Sequence, residues 1–101
     1  MKVVIPLFEN RVSPHFHTAP ALLLVQIDDR RACSTWKISL ENLFPAQRKR
    51  QILALDPDTL LCGGIDVETR RWFERHGVRV QDNRMGDAME MLEHYLNMEN
   101  T

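Results

Sequence analysis

The sequence predicts an α/β domain built on a five-stranded mixed sheet with helices on both faces. Three strand-like runs precede the first helical segment, and two further strands alternate with helices after it. Successive strands without an intervening helix tend to pair antiparallel, whereas strands joined by a helical crossover run parallel. The second strand is therefore expected to run antiparallel to the first.

The first three strands come from two apolar runs and one alternating run. Residues 3–8 and 21–27 are short runs rich in branched side chains, which is typical of buried central strands. Residues 32–40 alternate between apolar and polar side chains, with Trp36 on the more apolar side. This third run predicts a half-exposed strand that forms a hairpin with its predecessor.

The second half of the chain alternates helices with strands. Pro45 suits the first turn of a helix that is expected over residues 46–55. A short buried strand at residues 59–62 leads into a second helix, which apolar side chains at helical spacing predict and Gly77 terminates. A last strand is expected at residues 78–81.

A third helix follows a capping box formed by Asp87 and Glu90. Its apolar stripe includes Leu92 and Tyr95, and apolar residues at this spacing usually pack against a sheet. The stripe is therefore predicted to belong to the core. The polar tail from Asn97 to Thr101 is expected to fray.

Composition favours one domain with neither nucleic acid nor a membrane as its partner. The chain has 101 residues, 44% of them hydrophobic, which suits a single core over residues 1–101. Its formal net charge is -1, so no overall field attracts nucleic acid. The basic run Arg48-Lys49-Arg50 lacks interleaved aromatic residues and is expected to be a solvated helix face.

The cysteines and the lengths of the apolar runs indicate the cellular compartment in which the protein is expected. Cys33 and Cys62 show neither the density of a disulfide scaffold nor a CxxC spacing, which favours reduced thiols. No apolar run approaches the roughly 20 residues that a membrane helix needs. We therefore expect a cytoplasmic protein.

Two short segments hold most of the functional information. Ser13-Pro14-His15-Phe16-His17 places two imidazoles one residue apart behind a proline that restricts the backbone. Cys62-Gly63-Gly64-Ile65 ends a buried strand with glycines where a helix should begin. Open α/β sheets bind ligands at strand ends beside helix N-termini, so both segments are predicted to border one ligand site.

Both segments resemble the signatures of a known family. The run from Asn10 to Phe16, followed by Ala19-Pro20, is similar to the Arg-Val-Ser-Pro-His-Phe signature of the dinitrogenase iron-molybdenum cofactor biosynthesis family. The run from Leu61 to Ile65 is similar to its second signature, at matching spacing. The resemblance covers nearly the whole chain. It implies a ribonuclease H-like fold and binding or carriage of the iron-molybdenum cofactor, a precursor or a related anionic metal-sulfur cluster.

The resemblance and the side-chain chemistry together nominate the site residues. The candidates for cofactor binding are Arg11, Ser13, His15, Cys62, Gly63, Gly64 and Ile65. The candidate metal ligands are His15, His17 and Cys62.

Each main candidate also has a purely structural interpretation. His15 is the leading ligand because imidazole coordinates iron, molybdenum, copper and zinc, but it could instead only order its loop. Cys62 could bind a soft metal as a thiolate or serve as a small buried apolar residue. The amides of Gly63 and Gly64 could cradle an anion, or the glycines could serve a tight turn. Arg11 could donate to cluster sulfides or simply be solvated.

Two positions depart from the family pattern. His17 stands where the family usually has glycine, and Asp66 stands where glycine usually closes the second signature. His17 could add a ligand or narrow the pocket. Asp66 could cap the following helix, or its carboxylate could oppose an anionic cluster at the pocket edge.

Two alternatives differ from a cofactor carrier. A nuclease would need clustered carboxylates for two-metal hydrolysis, and the first and fourth predicted strands contain no Asp or Glu. No nucleophile with paired acid and base groups is evident, so no enzymatic activity is expected. A regulatory or protein-interaction module of the same fold, without cofactor, stays open. The expected partners are the cofactor and proteins that assemble or accept it.

Overall fold

A computed structural model of the protein describes residues 1–98. The strands are β1 (Lys2–Phe8), β2 (Arg11–Val12), β3 (Ala21–Asp28), β4 (Arg31–Ser39), β5 (Thr59–Leu61) and β6 (Arg79–Gln81). The helices are α1 (Pro45–Ala54), α2 (Val67–Arg75) and α3 (Ala88–Met98), and a 3-10 turn spans Phe16–Thr18. Within residues 1–98, no helix combines the length and the apolarity that crossing a membrane requires.

The strands form one mixed sheet in the order β4-β3-β1-β5-β6, and β2 pairs with β1 beside this path. β3, the predicted second strand, runs antiparallel to β1, as expected, whereas β5 runs parallel to both β1 and β6. The predicted count of five strands was wrong, because the sheet formed by residues 1–98 has six. The additional strand, β2, is two residues long and too short to show a period in the sequence. The ribonuclease H-like character stays a prediction.

Helices cover both faces of the sheet, in agreement with the prediction. The side chains of β1 alternate in direction, as in any strand. Val3, Ile5 and Leu7 belong to the core cluster that α3 covers, and Val4 belongs to the cluster that α1 and α2 cover. Because β1 is buried on both faces, it occupies the middle of the sheet.

The edge strand β4 is more exposed than its sequence indicates. The predicted hairpin with β3 is confirmed, but the half-exposed pattern over residues 32–40 is found only near the end of this range. Ile38 is half-buried and Leu40 is buried, whereas the other side chains of β4 are exposed. Trp36, expected on the apolar side, is 50% exposed. β4 has a neighbouring strand on one side only, and Ile38 is its one contribution to the core clusters of the described residues.

One residue of the predicted basic helix face is buried. Arg48 is 6% exposed and donates to the carbonyl oxygens of Ala19 at 2.6 Å and of Phe16 and Leu40 at 3.4 Å. Burial lowers the pKa of its guanidinium. The three carbonyls replace the hydration that the cation loses. The prediction of a wholly solvated face was therefore wrong for Arg48, which links the 3-10 turn to α1. The prediction is confirmed for Arg50, which is exposed.

The end of the chain differs from the expected frayed tail. α3 continues through Met98, so Asn97 and Met98 are helical. The remaining tail, residues 99–101, lies outside the described residues. A single domain over residues 1–101 stays a prediction.

The burial of α3 can be tested at Leu92, which is 1% exposed. Leu92→Asp would place a carboxylate without a partner in the core and is expected to lower the free energy of unfolding by about 3 kcal/mol or more. Urea denaturation measures the change. Met89→Asp is the matched control on the same helix, because Met89 is 41% exposed, and it is expected to cost less than about 1 kcal/mol. Equal losses in the two variants would mean that the stripe does not face the sheet.

Candidate functional site

A cavity of about 590 Å³ lies where three parallel strands end. Its lining comes from segments 8–14, 63–64 and 83–86, which follow β1, β5 and β6. Parallel strands present their carboxyl ends at one edge of a sheet, where open α/β folds place ligands. The volume falls within the range of about 300–1,000 Å³ that is typical of small-molecule sites.

The first wall of the cavity is a tight reversal of the chain after β1. Glu9 adopts a positive φ of 58°, and the chain turns back so that Val12 pairs with Leu7 of β1. The Ser13 amide then donates to the carbonyl of Pro6 at 2.8 Å. This reversal carries Arg11 and Pro14 to the cavity.

The two signature segments lie in direct contact. The Gly64 amide donates to the Pro14 carbonyl at 2.7 Å, and the Phe16 amide donates to the Gly64 carbonyl at 2.9 Å. A Cβ atom on Gly63 would lie 2.3 Å from the carbonyl oxygen of Ser13. No side chain fits at such a distance, so the approach of the first segment requires glycine at position 63.

The third wall is the loop between β6 and α3, which the sequence interpretation missed. The amides of Asn83 and Arg84 donate to the carbonyls of Gly63 at 3.0 Å and Cys62 at 2.9 Å. On its other side, the Gly86 carbonyl accepts from the amide of Val12 at 2.9 Å. The strand-end rule that nominated the first two segments, applied to β6, would have found this loop as well.

The structure places three of the seven predicted cofactor-binding residues on the cavity wall. These are Arg11, Gly63 and Gly64. Ser13 is buried, and its hydroxyl donates to the His15 carbonyl at 3.1 Å. Ser13 therefore shapes the loop and contributes no side chain to the lining.

His15 and Ile65 also lie outside the lining of the cavity. The backbone of His15 forms a β-bridge with Gly64, and its side chain is exposed. Its ring atom Nδ1 would lie 3.5 Å from a Cβ atom on Gly64, which places the imidazole at the cavity edge. Ile65 is half-buried against the core cluster under α1 and α2.

Cys62, the predicted thiolate ligand, does not line the cavity. The side chain is fully buried in the core cluster under α1 and α2. Burial, with a smaller contribution from the nearby Asp82 carboxylate, raises the pKa of the thiol to about 12. Cys62 is therefore a neutral, small apolar residue at neutral pH, in agreement with the alternative interpretation.

His17 and Asp66, the two departures from the family pattern, contact each other. His17 Nε2 lies 2.6 Å from Asp66 Oδ1, and the other carboxylate oxygen, Oδ2, accepts from the Thr69 amide at 2.9 Å. The contact with His17, supported by the bonds from Thr69, lowers the pKa of the Asp66 carboxyl. Asp66 thus caps α2, as one of its two interpretations held, and neither residue lines the cavity.

The three predicted metal ligands do not form a metal centre. Within residues 1–98, no group of three or more His, Cys, Asp or Glu side chains is arranged to hold a metal ion. His17 contacts Asp66, Cys62 is buried, and His15 lies at the cavity edge. A metal-containing ligand in this cavity would therefore be held chiefly by contacts to its outer atoms.

Of the two glycine amides predicted to cradle an anion, that of Gly64 is already occupied, because it donates to the Pro14 carbonyl. Arginine side chains supply positive charge to the cavity. Among the described residues, Arg11 and Arg84 line the cavity against a single acidic residue, Glu9. Among residues 1–98, neither arginine forms an ion pair. Two cations against one anion make the cavity suitable for a negatively charged ligand.

Comparison with known proteins finds similarity in three-dimensional structure only. No protein-family model matches the sequence, and no curated protein matches it either. A solved structure described as "Crystal structure of PH0822" superposes with a TM-score of 0.90 at 18% identity, covering 97% of this chain and 90% of that one.

Two other similar structures have names linked to nitrogenase. The crystal structure of a "putative dinitrogenase" from Methanocaldococcus jannaschii gives a TM-score of 0.81 at 23% identity, covering 98% of this chain and 90% of that one. The NMR structure of a "putative NifB protein" from Thermotoga, assigned to the DUF35 family, gives 0.71 at 14% identity, with coverages of 95% and 87%. At these identities the likeness establishes the fold.

The close approach at Gly63 generates a stability prediction. Gly63→Ala would force the new methyl group against the Ser13 carbonyl, and we expect a loss of about 2 kcal/mol or more in the free energy of unfolding. Gly64→Ala is the matched control, because its Cβ atom would lie 3.1 Å from the Pro14 carbonyl oxygen and requires only a small adjustment. Chemical denaturation would measure the free energy of unfolding of both variants. A loss at Gly64 equal to that at Gly63 would contradict the proposed contact.

The Asp66 contacts generate a pH prediction. Because the folded-state pKa is lowered, the contribution of Asp66 to stability is complete above its unfolded pKa of about 4 and is lost as pH falls further. Asp66→Asn keeps a capping oxygen but removes the titrating carboxyl. Its free energy of unfolding is expected to fall less steeply than that of the wild type between about pH 4 and pH 2.

Urea denaturation across this pH range provides the measurement. Glu68→Gln is the control, because it removes an exposed carboxylate from the first turn of the same helix. It is expected to follow the wild-type profile more closely than Asp66→Asn. Superimposable profiles for Asp66→Asn and the wild type would show that the contacts of Asp66 do not stabilise the fold.

Proposed function

We propose that the protein binds and carries an anionic metal-sulfur cluster and catalyses no reaction. The cargo would be the iron-molybdenum cofactor, a precursor or a related molybdenum or iron-sulfur cluster. The observation that carries the proposal is the cavity at the ends of β1, β5 and β6, with two arginines and one glutamate as its ionisable lining. Such a surface favours a compact anion over a neutral or cationic ligand.

The remaining lining suits a soft, polarisable ligand. Apolar side chains and glycine backbone make up most of the wall, including Phe8, Val12 and Met85. Sulfide ligands of a cluster would pack against these groups, and the guanidinium groups would donate charge-assisted hydrogen bonds to them. In this proposal His15, at the cavity edge, is the imidazole to be tested as a direct metal ligand.

Two independent likenesses support a role linked to nitrogenase cofactors. The sequence signatures resemble the dinitrogenase iron-molybdenum cofactor biosynthesis family, and we propose membership of that family. Two structures with the same fold carry nitrogenase-related names. We therefore propose a place in nitrogen fixation, in the cytoplasm, where proteins that assemble or accept the cofactor would be the partners.

A second candidate is a regulatory or protein-interaction module of the same fold that binds no cofactor. The specific observation in its favour is the apolar exposure at the cavity. Phe8 is 54% exposed and Met85 is 78% exposed, and both line the cavity. A partner protein could cover these side chains in place of a small ligand.

Anaerobic titration with tetrathiomolybdate tests the carrier proposal. We expect saturable binding at neutral pH that weakens as salt rises, since electrostatic attraction contributes to it. Arg11→Ala is expected to weaken binding, whereas Arg50→Ala, a charge removed from exposed α1 surface, is expected to leave it unchanged. A folded wild-type protein that binds no tetrathiomolybdate, even at low salt, would contradict the proposal and favour the interaction module.

His15→Ala adds a separate measurement of direct coordination. The protein and this variant would be purified anaerobically from a host that builds such clusters, and molybdenum, iron and sulfur would be determined by elemental analysis. If the His15 imidazole binds the metal, the variant loses most of the metal. Equal metal content in both proteins would remove His15 from the site and leave recognition to the arginines.

A further inference from the structure

We propose that Arg84 is the principal anchor for the anion in this cavity and that Gln81 positions its guanidinium. The proposal rests on the proposed function only in requiring that the ligand be an anion. Arg84 belongs to the loop that neither signature segment includes, and no resemblance assigns it a role. Three features of its surroundings support this assignment.

The first feature is an unused hydrogen-bond donor. Arg84 Nη2 donates to Gln81 Oε1 at 2.9 Å. The Nε atom is shielded from solvent, and within residues 1–98 it has no hydrogen-bond partner. A shielded donor without an acceptor is costly and rare in folded proteins, so the contacts of the fold leave the guanidinium of Arg84 incompletely satisfied.

The second feature is that the charge of Arg84 is not neutralised by a neighbouring carboxylate. The nearest acidic residue in the sequence, Asp82, accepts from Arg70 Nη1 at 2.8 Å. Glu9 lines the same cavity but forms no ion pair with Arg84 among the described residues. By contrast, the buried Arg48 is bonded to three carbonyls. Arg84 is therefore the partly buried arginine whose positive charge is left for a ligand.

The third feature is that the backbone of Arg84 is fixed in place. Its amide donates to the Cys62 carbonyl at the end of β5, and the preceding residue, Asn83, bonds to Gly63. Gly86 bonds to Val12 on the opposite wall. With both the loop and the guanidinium held, little conformational entropy is lost when an anion binds.

The geometry of a guanidinium defines the class of ligand. Its N–H groups lie in one plane and form a fork that matches two neighbouring acceptor atoms. With Nη2 held by Gln81, Arg84 retains donors for an anion that presents acceptors side by side, as thiometallates and oxyanions do. Lysine would supply the same charge without this fork.

The test measures dissociation constants for tetrathiomolybdate and for molybdate by calorimetry. Arg84→Gln is expected to weaken tetrathiomolybdate binding about tenfold to a hundredfold, the loss typical of a charge-assisted bond. Arg84→Lys keeps the charge but lacks the fork. It is expected to weaken binding by at least about half as much as Arg84→Gln on a logarithmic scale. Gln81→Met is expected to weaken binding less than Arg84→Gln, and Arg50→Gln, on exposed α1 surface, is expected to have no effect.

Thermal unfolding without ligand separates anchoring from a structural role. Because the Arg84 side chain makes one hydrogen bond within residues 1–98, Arg84→Gln is expected to stay within about 4 °C of the wild-type Tm. Tetrathiomolybdate should raise the Tm of the wild type more than that of Arg84→Gln. A large fall in the Tm of the ligand-free variant would assign Arg84 to the fold and overturn the proposal.

The binding results distinguish this proposal from the carrier function. Equal affinity of wild type and Arg84→Gln for tetrathiomolybdate would overturn the role of Arg84 and leave the carrier function standing. Binding of molybdate but not tetrathiomolybdate, lost in Arg84→Gln, would support the anchor and contradict a metal-sulfur cargo. If neither probe binds the wild type, the anchor is rejected together with the anion site.

Discussion

The approach of the Ser13–His15 segment to the backbone of Gly63 and Gly64 is the constraint on which the candidate site depends. Hydrogen bonds in both directions join residues about 50 positions apart, and Gly63 leaves room for no Cβ atom. This contact ties the loop after β1 to the end of β5. Arg48 secures the following 3-10 turn from the other side through three carbonyls. The cavity wall is therefore part of the folded framework, which limits the entropy that binding would cost.

The arginines show how position gives one residue type different roles. Arg48 is buried and bonded to carbonyls, and Arg70 pairs with Asp82 and Glu74 on the surface of α2. Arg11 and Arg84 line the cavity without a carboxylate partner among residues 1–98. The net charge of -1 does not reveal this arrangement, because it sums paired and unpaired charges over the whole chain. Local pairing decides where an anion is attracted.

The contact between His17 and Asp66 explains how the two residues that differ from the pattern of the resembled family can coexist with an anion site. A carboxylate at the cavity edge would repel an anionic ligand. Asp66 instead directs one oxygen to His17 and the other to the Thr69 amide at the start of α2, and neither His17 nor Asp66 lines the cavity. The two substitutions are therefore compatible with an anion site, because each side chain is the partner of the other.

The sequence by itself determined the order of the five longer strands and the three helices, because apolar periodicity, the Asp66 and Asp87 caps and Gly77 act over only a few residues. It also placed both signature segments at strand ends. Only the tertiary structure decided that Cys62 faces the core, that β2 adds a sixth strand, and that the loop carrying Arg84 completes the cavity. These outcomes depend on contacts between residues distant along the chain. Separate elements must pack together before a thiol is buried, a two-residue strand is paired or a guanidinium is shielded. No local sequence pattern predicts these outcomes.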